Sequence, residues 1–104
     1  MHRSPPSGSQ VQVRIPGLLR SYTAGLERVE IDVAAADHGS APCLADGLAA
    51  LDARFPGLRF RIVDERGQIR PHIRLFIDGT QARDLAMPLP GRAELMIVGA
   101  LSGG

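Results

Sequence analysis

The sequence predicts an α+β domain of two layers: a mixed sheet of four to five strands with one main helix packed on one face. Three observations carry this. Apolar and polar residues alternate in runs near both ends of the chain and again past its middle, the period of a half-buried strand. One stretch alone sets its large apolar residues at helical spacing. A single helix cannot cover both faces of such a sheet, so the opposite face is left to solvent or to partners.

Residues 1–9 are rich in Ser, Pro and Gly and read as a disordered lead-in. Val11, Val13 and Ile15 then alternate with Gln12 and Arg14, and Pro16-Gly17 stops the strand. A turn region through Ser21 to Gly25 leads to Val29, Ile31 and Val33, which alternate with Arg28, Glu30 and Asp32. Two such strands in succession predict a hairpin. Residues 34–42 read as a loop, with Ser40 as helix N-cap and Pro42 in the first turn.

Leu44, Leu48, Leu51 and Phe55 share one helical face, and Pro56-Gly57 ends the helix. Leu58, Phe60 and Ile62 form a short apolar stretch that fits either element type. Glu65-Arg66-Gly67 is a turn. Ile73, Leu75 and Ile77 form the strongest strand pattern, closed by the turn pair Asp78-Gly79. Residues 80–92 read as irregular connection with a short strand near Gln81 to Asp84, and the last strand is expected over Glu94 to Val98.

Composition narrows the function classes. At 104 residues and 11.1 kDa the chain is one small domain, without room for a deep cleft of its own. A net charge of +1 and 4% aromatic residues argue against nucleic acid as a partner. No apolar stretch is long enough to span a membrane, and no signal-peptide pattern opens the chain, so the cytoplasm is the expected location. One cysteine, Cys43, excludes an internal disulfide and reads as structural. His2, His38 and His72 lack metal-ligand spacing, and Asp46 and Asp52 read as solvated helix charges. All twelve Lys+Arg positions are arginine, so no side-chain amine is available as an isopeptide acceptor.

The sequence closes on Gly99, Ala100, Leu101, Ser102, Gly103 and Gly104, directly after the last strand pattern. Gly103 and Gly104 lack a Cβ and can thread a narrow tunnel. From Val98 the six following residues reach roughly 20 Å when extended, enough to place a carbonyl deep inside a partner. The expected division is thus a lead-in over 1–9, a domain over 10–98 and a tail over 99–104.

This order of elements with a terminal Gly-Gly resembles the ubiquitin-like β-grasp, and more closely the MoaD/ThiS family of sulfur carriers, over about residues 10–104. The resemblance rests on Arg70-Pro71-His72-Ile73-Arg74-Leu75-Phe76-Ile77-Asp78-Gly79 and on Glu94-Leu95-Met96-Ile97-Val98 with its small-residue tail. The sequence departs from the family at Pro90-Gly91-Arg92-Ala93, where an Asp-Gly-Asp turn is common, and at Gly99, where proline is common. The resemblance implies a protein cosubstrate rather than an enzyme. Its Gly104 carboxyl would be adenylated with ATP and Mg²⁺ on a separate activating enzyme and converted to a thiocarboxylate, with no cofactor bound by the chain itself. Gly103, Ser102 and Leu101 would form the tail.

The partners implied are a ubiquitin-activating-type adenylyltransferase or sulfurtransferase and a sulfur-accepting synthase. Readings with the same tail are the small subunit of a molybdopterin synthase and a modifier conjugated to lysines; a β-grasp interaction domain without tail chemistry is a further one. In a β-grasp the strands around residues 76 and 96 are neighbours. Phe76, Met96 and Val98 would then form one exposed apolar patch rimmed by Arg74, a docking surface for such partners.

Overall fold

A computed structural model describes residues 8–36 and 41–99. Five strands form one sheet: β1 (Gly8–Arg14), β2 (Arg28–Ala34), β3 (Ile73–Ile77), β4 (Thr80–Ala82) and β5 (Arg92–Gly99), in the spatial order β2-β1-β5-β3-β4. β1 and β2 make the expected antiparallel hairpin, with Val11 opposite Ile31. The sheet is mixed because β5 runs parallel to β1, Val13 beside Leu95, and antiparallel to β3, Leu75 beside Ile97. The α+β class predicted from the sequence is therefore the class observed.

Helix α1 (Leu44–Arg54) covers the inner face, and Leu44, Leu48 and Leu51 are fully buried there. They join one buried core with the inward residues of all five strands, among them Val11, Val33, Leu75, Ala82 and Leu95. Strand alternation puts every second residue on the opposite face, which carries no helix among the described residues.

Several boundaries differ from the sequence expectation, each for a local reason. β1 begins at Gly8 rather than after residue 9, because inward-facing Ser9 donates its hydroxyl to the Leu89 carbonyl at 3.0 Å. The turn region before β2 holds a 3₁₀ helix, Gly17–Tyr22, that buries Leu19. Residues 58–62 form a second helix, α2 (Leu58–Ile62), which buries Leu58 and Ile62 and leaves Phe60 exposed. β4 ends at Ala82, and β5 extends to Gly99, so Gly99 belongs to the sheet and not to the tail. The turn Asp78-Gly79 has positive φ at both positions, 49° and 86°, as a two-residue hairpin turn requires.

The helix start also differs. Cys43, not Ser40, is the N-cap, so Pro42 lies ahead of the helix rather than within its first turn; Ser40 itself lies outside the described residues. Cys43 and Asp46 form a capping box, with the Asp46 carboxylate accepting from the Cys43 amide at 2.8 Å. The next amides, Leu44 and Ala45, donate to the carbonyls of Met87 and Leu85. The 83–91 connection is thus tied to the helix side of the sheet, where it satisfies donors that a helix N-terminus leaves open. The other face of the sheet stays uncovered by it.

Candidate functional site

The site grows from the end of β5. This strand lies in the middle of the sheet, between β1 and β3, and its last residue, Gly99, stands opposite Ile73. Leu18, from the 3₁₀ helix, lies over Gly99 so closely that a Cβ there would meet Leu18 Cδ2 at 2.0 Å. A glycine at this point lets the Leu18 side chain close over the strand. Leu101, Ser102, Gly103 and Gly104 lie outside the described residues, as do His2 and His38.

On the uncovered face, the register sets Phe76 opposite Met96 and Arg74 opposite Val98. The four residues that the sequence grouped are therefore adjacent. Val98 is 36% exposed and Phe76 and Met96 are half-buried, flanked rather than capped. Arg74 is held along the strand by hydrogen bonds from its Nη1 to the carbonyls of Pro71, 2.8 Å, and Ile73, 3.1 Å. The apolar strip leads to Gly99 without a break.

A second exposed group beside the same strand end was not legible in the sequence. Leu18, Tyr22, Phe60, Arg61, Arg70 and His72 line an open groove of about 460 Å³, with Glu65 on its rim. Arg70 lies over the Phe60 ring, 4.5 Å from its centre, and Arg61 over the Tyr22 ring at 5.4 Å while donating to the Tyr22 hydroxyl. Phe60 is the most exposed large hydrophobic residue among the described residues, at 52%. Its helix spans five residues, too few for any periodic pattern to announce which side faces out.

No constellation for autonomous chemistry is present among the described residues. No group of three His, Cys, Asp or Glu side chains could hold a metal ion. Cys43 serves as helix cap near the start of β1, whereas Gly99 lies beyond its far end. Asp46 and Asp52 are not free solvated charges. Asp46 caps α1, and Asp52 accepts the amides of Gly57 and Arg59, both at 3.1 Å. The Asp46 carboxyl is held below the usual aspartate range, first by the Cys43 amide bond. Asp64 is lowered in the same way, chiefly by the Gln68 amide. Both shifts belong to backbone capping, not to acid–base catalysis. No helix among the described residues is long and apolar enough to cross a membrane.

The class of protein defined by this sheet order, with one helix across it and a free outer face, is the ubiquitin-like β-grasp. No protein-family model matches the chain, and no curated relative matches it. Solved structures do. A chain of the BexX/CysO complex of Amycolatopsis orientalis is 25% identical, with a TM-score of 0.75 over 90% of this chain and 99% of that one. SAMP1 of Haloferax volcanii is 26% identical, with a TM-score of 0.72 over 92% of this chain and 100% of that one. CysO of Mycobacterium tuberculosis shares the fold at 23% identity, with a TM-score of 0.72 over 88% and 99%. These neighbours are the ubiquitin-like carriers and modifiers that the resemblance to the MoaD/ThiS proteins implied.

Proposed function

We infer that the chain is a sulfur carrier whose reacting atom is the carboxyl carbon of Gly104. The observation that carries this reading is the placement of β5. A central strand ends at Gly99, bordered by exposed apolar residues, and the sequence continues through small residues to Gly-Gly. Similarity to CysO and SAMP1 supports a carrier or modifier.

A carboxylate is a poor electrophile, since its α-carboxyl pKa of about 3.3–3.7 leaves it ionised at neutral pH. Attack on the α-phosphate of ATP forms the acyl-adenylate and releases pyrophosphate. A sulfur nucleophile then displaces AMP and leaves the thiocarboxylate. ATP and Mg²⁺ belong to the activating enzyme, and this chain supplies the tail and the docking face of Phe76, Met96, Val98 and Arg74. The product sulfur attacks an electrophilic metabolite held by a sulfur-accepting synthase and displaces its leaving group. Water then cleaves the resulting thioester, leaving the sulfur on the metabolite and returning the Gly104 carboxylate. The protein is consumed and regenerated as a cosubstrate. In a molybdopterin-synthase-like arrangement it would remain bound as a subunit, with the same atom reacting.

A second reading, favoured by the likeness to small archaeal modifier proteins, is an amide bond from Gly104 to target lysines. Intact mass of the protein from its native cell, with sequencing of the terminal peptide, separates these. Sulfur in place of one carboxyl oxygen at Gly104 is the expected result. Free carboxylate after incubation with ATP, sulfide and the cognate activating enzyme defeats the sulfur reading, and isopeptide-linked adducts establish the second.

A further inference from the structure

The uncovered face of the sheet is divided by charge. Near Gly99 its outward positions carry Arg14 opposite Arg28 on one flank of the apolar strip, and Arg74 on the other. At the far end the outward positions are Glu30, Asp32 and Glu94, with Arg92 among them.

Arg74 has a cationic neighbour. The β3–β4 register sets Leu75 opposite Ala82 and Phe76 opposite Gln81; β4 ends there, and Arg83, the next residue, lines one groove with Arg74. Like charges brought close on a sheet surface repel. Among the described residues no ion pair to a carboxylate involves Arg74 or Arg83, whereas the Asp64 carboxyl, held low first by the Gln68 amide, is lowered further by nearby Arg70. Arg70, Arg74 and Arg83 line a groove of about 220 Å³ whose other walls are apolar residues and Gln81. Arg70, Arg74 and Arg83 donate to Phe60 O, to two backbone carbonyls and to Gln81 Oε1 respectively, all neutral acceptors. Among the described residues, ion pairs join Arg14 to Glu94 and Arg20 to Glu27, and neither involves this cluster.

We propose that Arg70, Arg74 and Arg83 receive the carboxylates of an acidic segment of a partner protein, whose apolar side chain rests on Phe76, Met96 and Val98. This rests on the reading of that face as the docking face and adds the chemistry of its occupant. Guanidinium groups match carboxylates in a fork geometry, and a carboxylate between Arg74 and Arg83 removes their mutual repulsion.

The test is a two-dimensional NMR titration of the full chain with the peptide acetyl-Glu-Glu-Leu-Phe-Glu-Glu-amide, and with its analogue in which every Glu is Gln. The acidic peptide should shift residues 73–76, 81–83 and 96–98 in a saturable way. Its affinity should fall at least tenfold in the Gln analogue and on raising salt from about 50 to about 500 mM, as screened charges require. Arg83→Gln should weaken binding tenfold while its Tm stays equal or rises, because a repulsive pair has been relieved. Equal binding of the two peptides, shifts confined to the Leu18–Phe60 groove, or a lowered Tm for Arg83→Gln would each overturn the proposal. So would displacement of the peptide by inorganic phosphate at equal concentration, or formation of a dimer without peptide. No step involves chemistry at Gly104, so this outcome and that of the mass measurement are independent.

Discussion

The residues that hold the fold together are distinct from those that border the tail. Asp46 is the clearest of the first kind. One carboxylate oxygen accepts the Cys43 amide at 2.8 Å and the other the Ala36 amide at 3.2 Å, so it joins the helix cap to the end of β2. Removing a helix cap costs about 1 kcal/mol, and Asp46→Ala should lower unfolding stability in urea by that amount. The pH dependence has a definite sign. The folded carboxyl is held below its unfolded value, so the bonded form stabilises fully above the unfolded aspartate range and less as pH falls through the folded pKa. Parent and Asp46→Ala should therefore converge in stability under acid. A gap that persists unchanged at low pH would assign the effect to packing instead.

At the scale of elements, α1 is the main cover of the inner face, with Leu19, Leu58, Ile62 and Leu89 completing the core beside it. Leu44, Leu48 and Leu51 are fully buried, and no second long helix can compensate for a loss among them. Truncating a buried leucine removes its transfer free energy and leaves a cavity. Leu48→Ala should cost about 2–5 kcal/mol in chemical denaturation with an unchanged m-value. The 83–91 connection acts as part of the helix cap rather than as a cover for the outer face. The irregular link with a short strand expected over residues 80–92 is therefore present, but it is an ordered one. Their order comes from hydrogen bonds to Pro42, Leu44 and Ala45, more than thirty residues away along the chain, which leave no local period. The Leu18–Phe60 groove escaped for a similar reason, since its walls come from a 3₁₀ helix and a five-residue helix.

At the scale of the molecule, the first and last strands are parallel neighbours in the middle of the sheet. The fold is therefore closed by β5, and its last paired residue is Gly99. Deleting Gly103 and Gly104 should leave Tm and the two-dimensional NMR spectrum of residues 8–99 as they are, while ATP-dependent activation by the cognate enzyme is lost. A drop in Tm would show that the terminal residues pack on the domain, and activation without Gly104 would remove the basis of the carrier reading. The charge division of the outer face is also a property of the whole sheet. Arg14 and Arg74 come from separate strands and Arg83 follows a third, and they are brought together only through the ladder.

The sequence by itself determined the α+β class and the strand and helix faces, while the adjacency of Phe76 with Met96 came from the resemblance to the β-grasp and is set by the β3–β5 register. Alternation at period two and spacing at period 3.6 are written locally, and burial follows them. It also held the Gly-Gly end on which the proposed function rests, because that feature is covalent and needs no fold to exist. Tertiary structure decided what depends on register and on contacts between distant segments. Cys43 became the cap because Asp46 reaches its amide, Gly99 entered the sheet because Leu18 could close over it, and Arg83 came to line one groove with Arg74 because a two-residue turn folds β4 back along β3. None of these has a period in the chain. Each is set by which backbone groups meet once the helix has covered one face of the sheet.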